Sequence, residues 1–317
     1  MINAPAKLNL HLKIGERRPD GFHDLESLFL ALAYGDTLSF DIYPQGSVFP
    51  SEDIEIILDW QLPWGRSEDL PPGKNIVNKA VSLFRESTGF DKKLKIVIEK
   101  RIPLGGGLGG GSSDAAATLL ALNRLASPEC LVSGAVLVEM GASLGSDVPF
   151  FLQTALNETP IAWVSGRGER VLPLVLPPQL QRLSLVLVNP GFPSDTAEAF
   201  RLLDEYRAVE PQSAAPALHS SFIIPQSPRD WLFTNDFLPV FETVFKQKKT
   251  NNGLFSECLE IITTLNELGA DFSGLSGSGS TCFGVFSSQS KARAVKELLL
   301  KRWKFIIETF FTCIQNK

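Results

Sequence analysis

The stretch Ile102–Asn123 reads IPLGGGLGGGSSDAAATLLALN and puts six glycines into the seven positions from Gly105 to Gly111, directly before an alanine- and leucine-rich run. Upstream, KLKIVIEKRIP (93–103) alternates apolar and polar side chains at the period of a β-strand. Downstream, Ser112, Ser113 and Asp114 supply N-terminal capping chemistry, and the residues after them favour helix. The glycines therefore join a strand to the start of a helix. A backbone that must enter left-handed conformations and approach a ligand closely has no room for Cβ atoms. A helix beginning at that point adds free N–H donors and the positive end of its dipole, which suits a phosphate. A tight turn without a ligand is the alternative.

Two familiar phosphate loops fit less well. Gly105, Gly107 and Gly110 satisfy G-x-G-x-x-G, but SPECLVSGAVLVEMG (127–141) then gives a second helical pattern where a dinucleotide fold requires a strand ending in an acid. The Walker loop fails because no G-K-[ST] follows the glycines. The four cysteines, Cys130, Cys258, Cys282 and Cys313, show no zinc-like spacing with His11, His23 or His219.

Around this centre, 317 residues predict two domains. We place them at 1–157 and 158–317, with the junction near Thr154 to Thr159. A net charge of -5 with 44% hydrophobic residues describes a globular chain without broad attraction to nucleic acid. The opening MINAPAKLNLHLKIGERR lacks the apolar core of a signal peptide, and no apolar run reaches membrane-helix length, so a cytoplasmic protein with no membrane partner is expected. Lys7, Asn9, His11 and Lys13 form the polar face of a strand whose other face is Leu8, Leu10, Leu12 and Ile14. Gly35 and Asp36 read as a turn between strands, residues 210–229 as a loop, and FSGLSGSGSTCFGVF (272–286) as a second glycine-rich turn before a strand.

The segment PLGGGLGGGSSDAA, from Pro103 to Ala116, resembles the phosphate-binding motif of the GHMP kinases. APAKLNLHLKIGERRPDGFHDLESLF (Ala4–Phe29), LGSDVPFFL (Leu144–Leu152) and LSGSGSTCFGVF (Leu275–Phe286) resemble, in order, further motifs of the family branch that phosphorylates 4-diphosphocytidyl-2-C-methyl-D-erythritol. The resemblance covers nearly the whole chain. It implies an α+β fold of two domains, the first like domain 2 of ribosomal protein S5 and the second ferredoxin-like. It further implies an ATP-dependent phosphotransferase with an alcohol acceptor, working with Mg2+ in isoprenoid-precursor synthesis. A sister kinase for another small alcohol, and a binding protein without turnover, are the competing readings.

Residue by residue, the resemblance makes Asp147 the acceptor of the hydroxyl proton and Lys7 its electrostatic partner. Left to themselves, these residues would read as a helix N-cap and a solvated edge lysine. ATP would lie against Asn75, Ile76, Lys100, Pro103, Gly105, Gly106, Gly107, Gly109, Gly110, Gly111, Ser112 and Ser113, with Ser113 also offering a hydroxyl to the metal. The acceptor would meet Asn9, Phe22, His23, Thr196 and Phe200, while Gly277 and Gly279 would pack on the phosphate loop or shape the acceptor pocket. The commoner family pattern has tyrosine where Phe22 stands, so a π-face is kept and a hydroxyl contact is lost.

Overall fold

The structure is a computed structural model that describes residues 1–43, 53–62, 75–209, 224–246 and 253–311. Strands β1 (Ile2–Arg17) and β2 (His23–Ile42) form a long antiparallel ribbon. Gly35 and Asp36 lie inside β2 and make no turn. A Cβ on Gly35 would stand 2.3 Å from the Ala4 carbonyl oxygen, so the glycine permits a close approach where the register slips between Pro5 and Lys7. The polar face of β1 is not solvated either, since Lys7, Asn9 and His11 are all buried.

The first sheet runs β3 (Ile54–Trp60), β4 (Leu94–Lys100), β2, β5 (Ile161–Gly166) and β6 (Arg170–Pro173), with β1 on β2. Against it pack α1 (Ile76–Thr88), α2 (Gly110–Leu125), α3 (Gly134–Leu144) and α4 (Val148–Leu156). Helix α1 buries Val77, Ala80, Val81 and Phe84, the face its spacing predicts. Ten successive residues of α2, Ser113 to Leu122, are buried, and its alanines allow neighbours on every side to approach.

Because β5 and β6 pair into this first sheet, the chain changes sheet between Pro173 and Ser184, later than the expected junction at 157–158.

The second sheet has the order β10 (Phe305–Thr309), β7 (Ser184–Asn189), β9 (Cys282–Phe286), β8 (Phe272–Leu275). Helices α5 (Thr196–Val209), α6 (Phe237–Lys246) and α7 (Gly253–Glu267) lie between β7 and β8, and α8 (Gln289–Leu299) lies between β9 and β10. That antiparallel 4-1-3-2 order is the ferredoxin-like arrangement. The ribbon ties the halves together: Leu12 N–H donates to the Thr234 carbonyl at 2.8 Å, and Leu12 and Ile14 enter the second core. Of the segment expected to be a loop at 210–229, residues 210–223 lie outside the described residues.

Candidate active site

Gly105, Gly107 and Gly109 all take left-handed φ values, of 63°, 73° and 69°. Gly107 shows why: a Cβ there would lie 2.2 Å from the Ser276 carbonyl oxygen and 2.9 Å from that of Gly279. The second glycine turn thus packs directly on the first. Ser276 Oγ donates to the Gly107 carbonyl at 2.8 Å, and Thr281 N–H donates to the Gly106 carbonyl at 3.1 Å. Leu108 is buried as the loop's apolar anchor, and its carbonyl accepts from Lys7 N–H at 2.9 Å. The loop is therefore held in shape, with its last glycines, Gly110 and Gly111, opening α2.

Below the loop lies a buried ionic cluster. Lys100 Nζ contacts both Asp36 and Asp114, while the other Asp36 oxygen accepts from the Ile102 amide at 2.8 Å. Burial opposes the Lys100 ammonium, but the two carboxylates outweigh it and raise its pKa above the ordinary lysine value. Burial pushes the Asp114 carboxyl up to about 7, against the pull of Lys100, and the charge on Asp36 adds to the rise. A carboxyl whose folded pKa exceeds its ordinary 3.8 holds its proton more tightly when folded, so its stabilisation is lost as pH rises from that value toward about 7. Asp114→Asn keeps the shape without the ionisation. Its melting temperature relative to wild type should rise between about pH 5 and about pH 8, whereas a constant offset would contradict the assignment.

Asp147 immediately precedes α4, with Pro149 in the first turn, yet its side chain makes no capping hydrogen bond. Its carboxylate instead stands 3.7 Å from Lys7 Nζ. Lys7 Nζ also donates to Asn9 Oδ1 at 2.6 Å and lies 4.8 Å from the centre of the Phe29 ring. Burial lowers the Lys7 pKa, and Asp147 works against that fall.

Lys7, Asn9, Gly107, Gly109 and Asp147 line a cleft of about 780 Å³ whose wall also carries Phe22, His23, Thr196 and Phe200. Phe22 is 55% exposed. His23 Nε2 pairs with Asp204 Oδ1 at 2.8 Å, and the His23 ring stacks on Phe200 with centroids 5.0 Å apart. Thr196 Oγ1 meets Ser278 Oγ at 3.1 Å.

Gly277 also lines this cleft, while the remaining residues expected at ATP lie along the loop and its flanks, outside that lining. Asn75 Oδ1 accepts from the Val77 amide as the N-cap of α1, and Ile76 faces Gly111. Pro103 is buried, Gly105 and Gly106 form the bend, Ser112 lies in the first turn of α2, and Ser113 Oγ is buried without a hydrogen-bond partner. Lys100 departs most from expectation: its side chain is 2% exposed and held by two carboxylates, so its ammonium is not offered to a nucleotide. Ser276 was missed, although it lies within the motif LSGSGSTCFGVF. Asp36 gave no local signal, because its role depends on residues that are distant in the chain.

Two family models match: "GHMP kinases N terminal domain" over residues 75–154 and "GHMP kinases C terminal" over 251–304. A 4-diphosphocytidyl-2-C-methyl-D-erythritol kinase of Thermodesulfovibrio yellowstonii is 33% identical, covering 96% of this chain and 95% of its own. One of Treponema pallidum is 35% identical, with 95% of each chain covered. The chain belongs to the 4-diphosphocytidyl-2-C-methyl-D-erythritol kinases, within the GHMP kinases. Members of this family are ATP-dependent phosphotransferases. A crystal structure of a 4-(cytidine 5'-diphospho)-2C-methyl-D-erythritol kinase aligns over 98% of both chains with a TM-score of 0.71 at 32% identity. The L. major mevalonate kinase in complex with R-mevalonate shares the GHMP kinase fold, with a TM-score of 0.63 at 16% identity. No helix among the described residues is long and apolar enough to cross a membrane.

Proposed function

We propose that this chain transfers the γ-phosphoryl group of ATP to the 2-hydroxyl of 4-diphosphocytidyl-2-C-methyl-D-erythritol, forming ADP and the 2-phosphate, in the non-mevalonate route to isoprenoid precursors. One observation carries the reading: the Asp147 carboxylate, unused in capping, sits beside Lys7 in a cleft with glycine-loop residues and an exposed aromatic ring.

Loop amides and the start of α2 hold the phosphates of ATP. The acceptor's 2-oxygen attacks the γ-phosphorus as the bond to the β,γ-bridging oxygen breaks, and ADP leaves. Asp147 accepts the hydroxyl proton. Lys7, held by Asn9, stands next to the carboxylate, where its ammonium offsets the negative charge that develops on the alkoxide. Phe22 offers the cytosine a π-face, His23 an edge contact and Phe200 a further ring.

Mg2+ belongs to this reading as a companion of ATP. The described residues contain no group of three His, Cys, Asp or Glu side chains able to hold a metal. The donor set nonetheless fits magnesium, which keeps several waters and binds through substrate phosphates with one or two protein groups. Ser113, whose buried hydroxyl lacks a partner in the first turn of α2, would hold it. Bound there, the ion would supply positive charge to offset that of the transferring phosphates. The cytoplasm, where the free thiols of Cys130, Cys258 and Cys282 are the resting state, is the proposed location.

A coupled assay of ADP release tests the reading. Rapid release should require the cytidyl acceptor, whereas equal release with mevalonate or homoserine in its place would overturn the substrate assignment. Lys7→Ala should lower kcat by about 10- to 100-fold, the range for losing one hydrogen bond to a charged group, with KM for ATP close to wild type. Unchanged kcat would remove Lys7 from the mechanism.

A further inference from the structure

We infer that Arg167 binds the diphosphate of the acceptor, an assignment that rests on the acceptor reading above. Arg167 lies in the turn between β5 and β6, flanked by Gly166 and Gly168 at φ values of 70° and 117°. A Cβ on Gly168 would stand 3.1 Å from the Ser146 carbonyl oxygen, so the turn leans on the residue next to Asp147. From there Arg167 reaches across the same cleft, and its guanidinium carbon lies 5.0 Å from the centre of the exposed Phe22 ring.

The charges lining the cleft single this group out. Lys7 is held by Asp147 and Asn9, and Arg201 is paired with Glu198 and Glu205. Glu169 accepts from the Arg167 backbone amide and approaches Arg170, so it is engaged away from the Arg167 guanidinium. Among the described residues, Arg17 and Arg167 line the cleft without a carboxylate in ion-pair range, and Arg17 Nε–H is turned to the Gly21 carbonyl. A molecule with its base on Phe22 and its reacting hydroxyl at Asp147 carries its diphosphate between the two. Arg167 runs from a turn against Ser146, the neighbour of Asp147, to the Phe22 ring. A planar guanidinium donates in a fork that matches phosphate oxygens, and an aromatic face supports it without consuming its N–H groups.

The test compares CDP with cytidine as competitive inhibitors against the acceptor at saturating ATP, in wild type and in Arg167→Gln. Wild type should bind CDP more tightly than cytidine. In Arg167→Gln that advantage should shrink by about tenfold or more, the effect of losing a charged hydrogen bond, while cytidine inhibition and KM for ATP stay within about twofold. Arg167→Lys should restore much of the advantage, because it returns the charge. An unchanged CDP-to-cytidine ratio would overturn the assignment, as would equal losses for both compounds, which would reduce Arg167 to a prop for Phe22. Wild type that neither phosphorylates the cytidyl acceptor nor binds either inhibitor would instead remove the acceptor reading, and this assignment with it.

Discussion

Asp147→Asn should lower kcat by about 10²- to 10⁴-fold, the usual contribution of a positioned proton acceptor, while KM for both substrates changes little. The substitution keeps the shape of the side chain and removes its ability to take a proton. Folding should survive it, because the carboxylate does not cap α4 and is partly open to the cleft. Lys7 should respond in a way that a merely structural aspartate would not produce. Burial already lowers its pKa and the charge on Asp147 opposes that fall, so without this charge Lys7 gives up its proton at a lower pH. The basic limb of the remaining activity should move toward acid. Steady-state kinetics across pH measure both effects, and wild-type kcat in a folded variant would end Asp147's role as proton acceptor.

Gly107→Ala should lower kcat/KM for ATP by about 10²-fold or more, the cost of moving a bound group by roughly an ångström. The added methyl meets two backbone carbonyl oxygens, at 2.2 and 2.9 Å, and neither is the flexible end of a side chain. Its φ of 73° adds strain for any residue with a Cβ. Relief requires separating the phosphate loop from the 276–279 turn, which also breaks the bond from Ser276 Oγ. Wild-type ATP kinetics in a folded Gly107→Ala variant would show that the contact between the loops is dispensable.

The strand, glycine bend and helix were legible because each is specified locally: alternation in β4, left-handed glycines, and helix-forming residues in α2. Asp147 was legible as a carboxylate at a helix start, but only its position opposite Lys7 separates a proton acceptor from a cap. Gly35 and Asp36 read as a turn because glycine followed by aspartate has the composition of one, while the cause of both residues is remote. Ala4 crowds the first, and Lys100 with the Ile102 amide engages the second. The buried polar face of β1 was hidden in the same way. Alternation shows that Lys7 and Asn9 share a side, but what covers that side comes from Gly109 and Ser27, on other elements of the fold. The place of Lys100 before the loop suggests a nucleotide contact, and the nearby carboxylates claim its ammonium instead.

A crystal structure of the ternary complex with a non-hydrolysable ATP analogue and the cytidyl acceptor probes the whole arrangement in one measurement. The triphosphate should rest on the amides of Gly105 to Gly111, with the acceptor's 2-hydroxyl within hydrogen-bond reach of Asp147 and in line with the γ-phosphorus. A triphosphate bound away from the glycine bend, or a 2-hydroxyl turned away from Asp147, would contradict it.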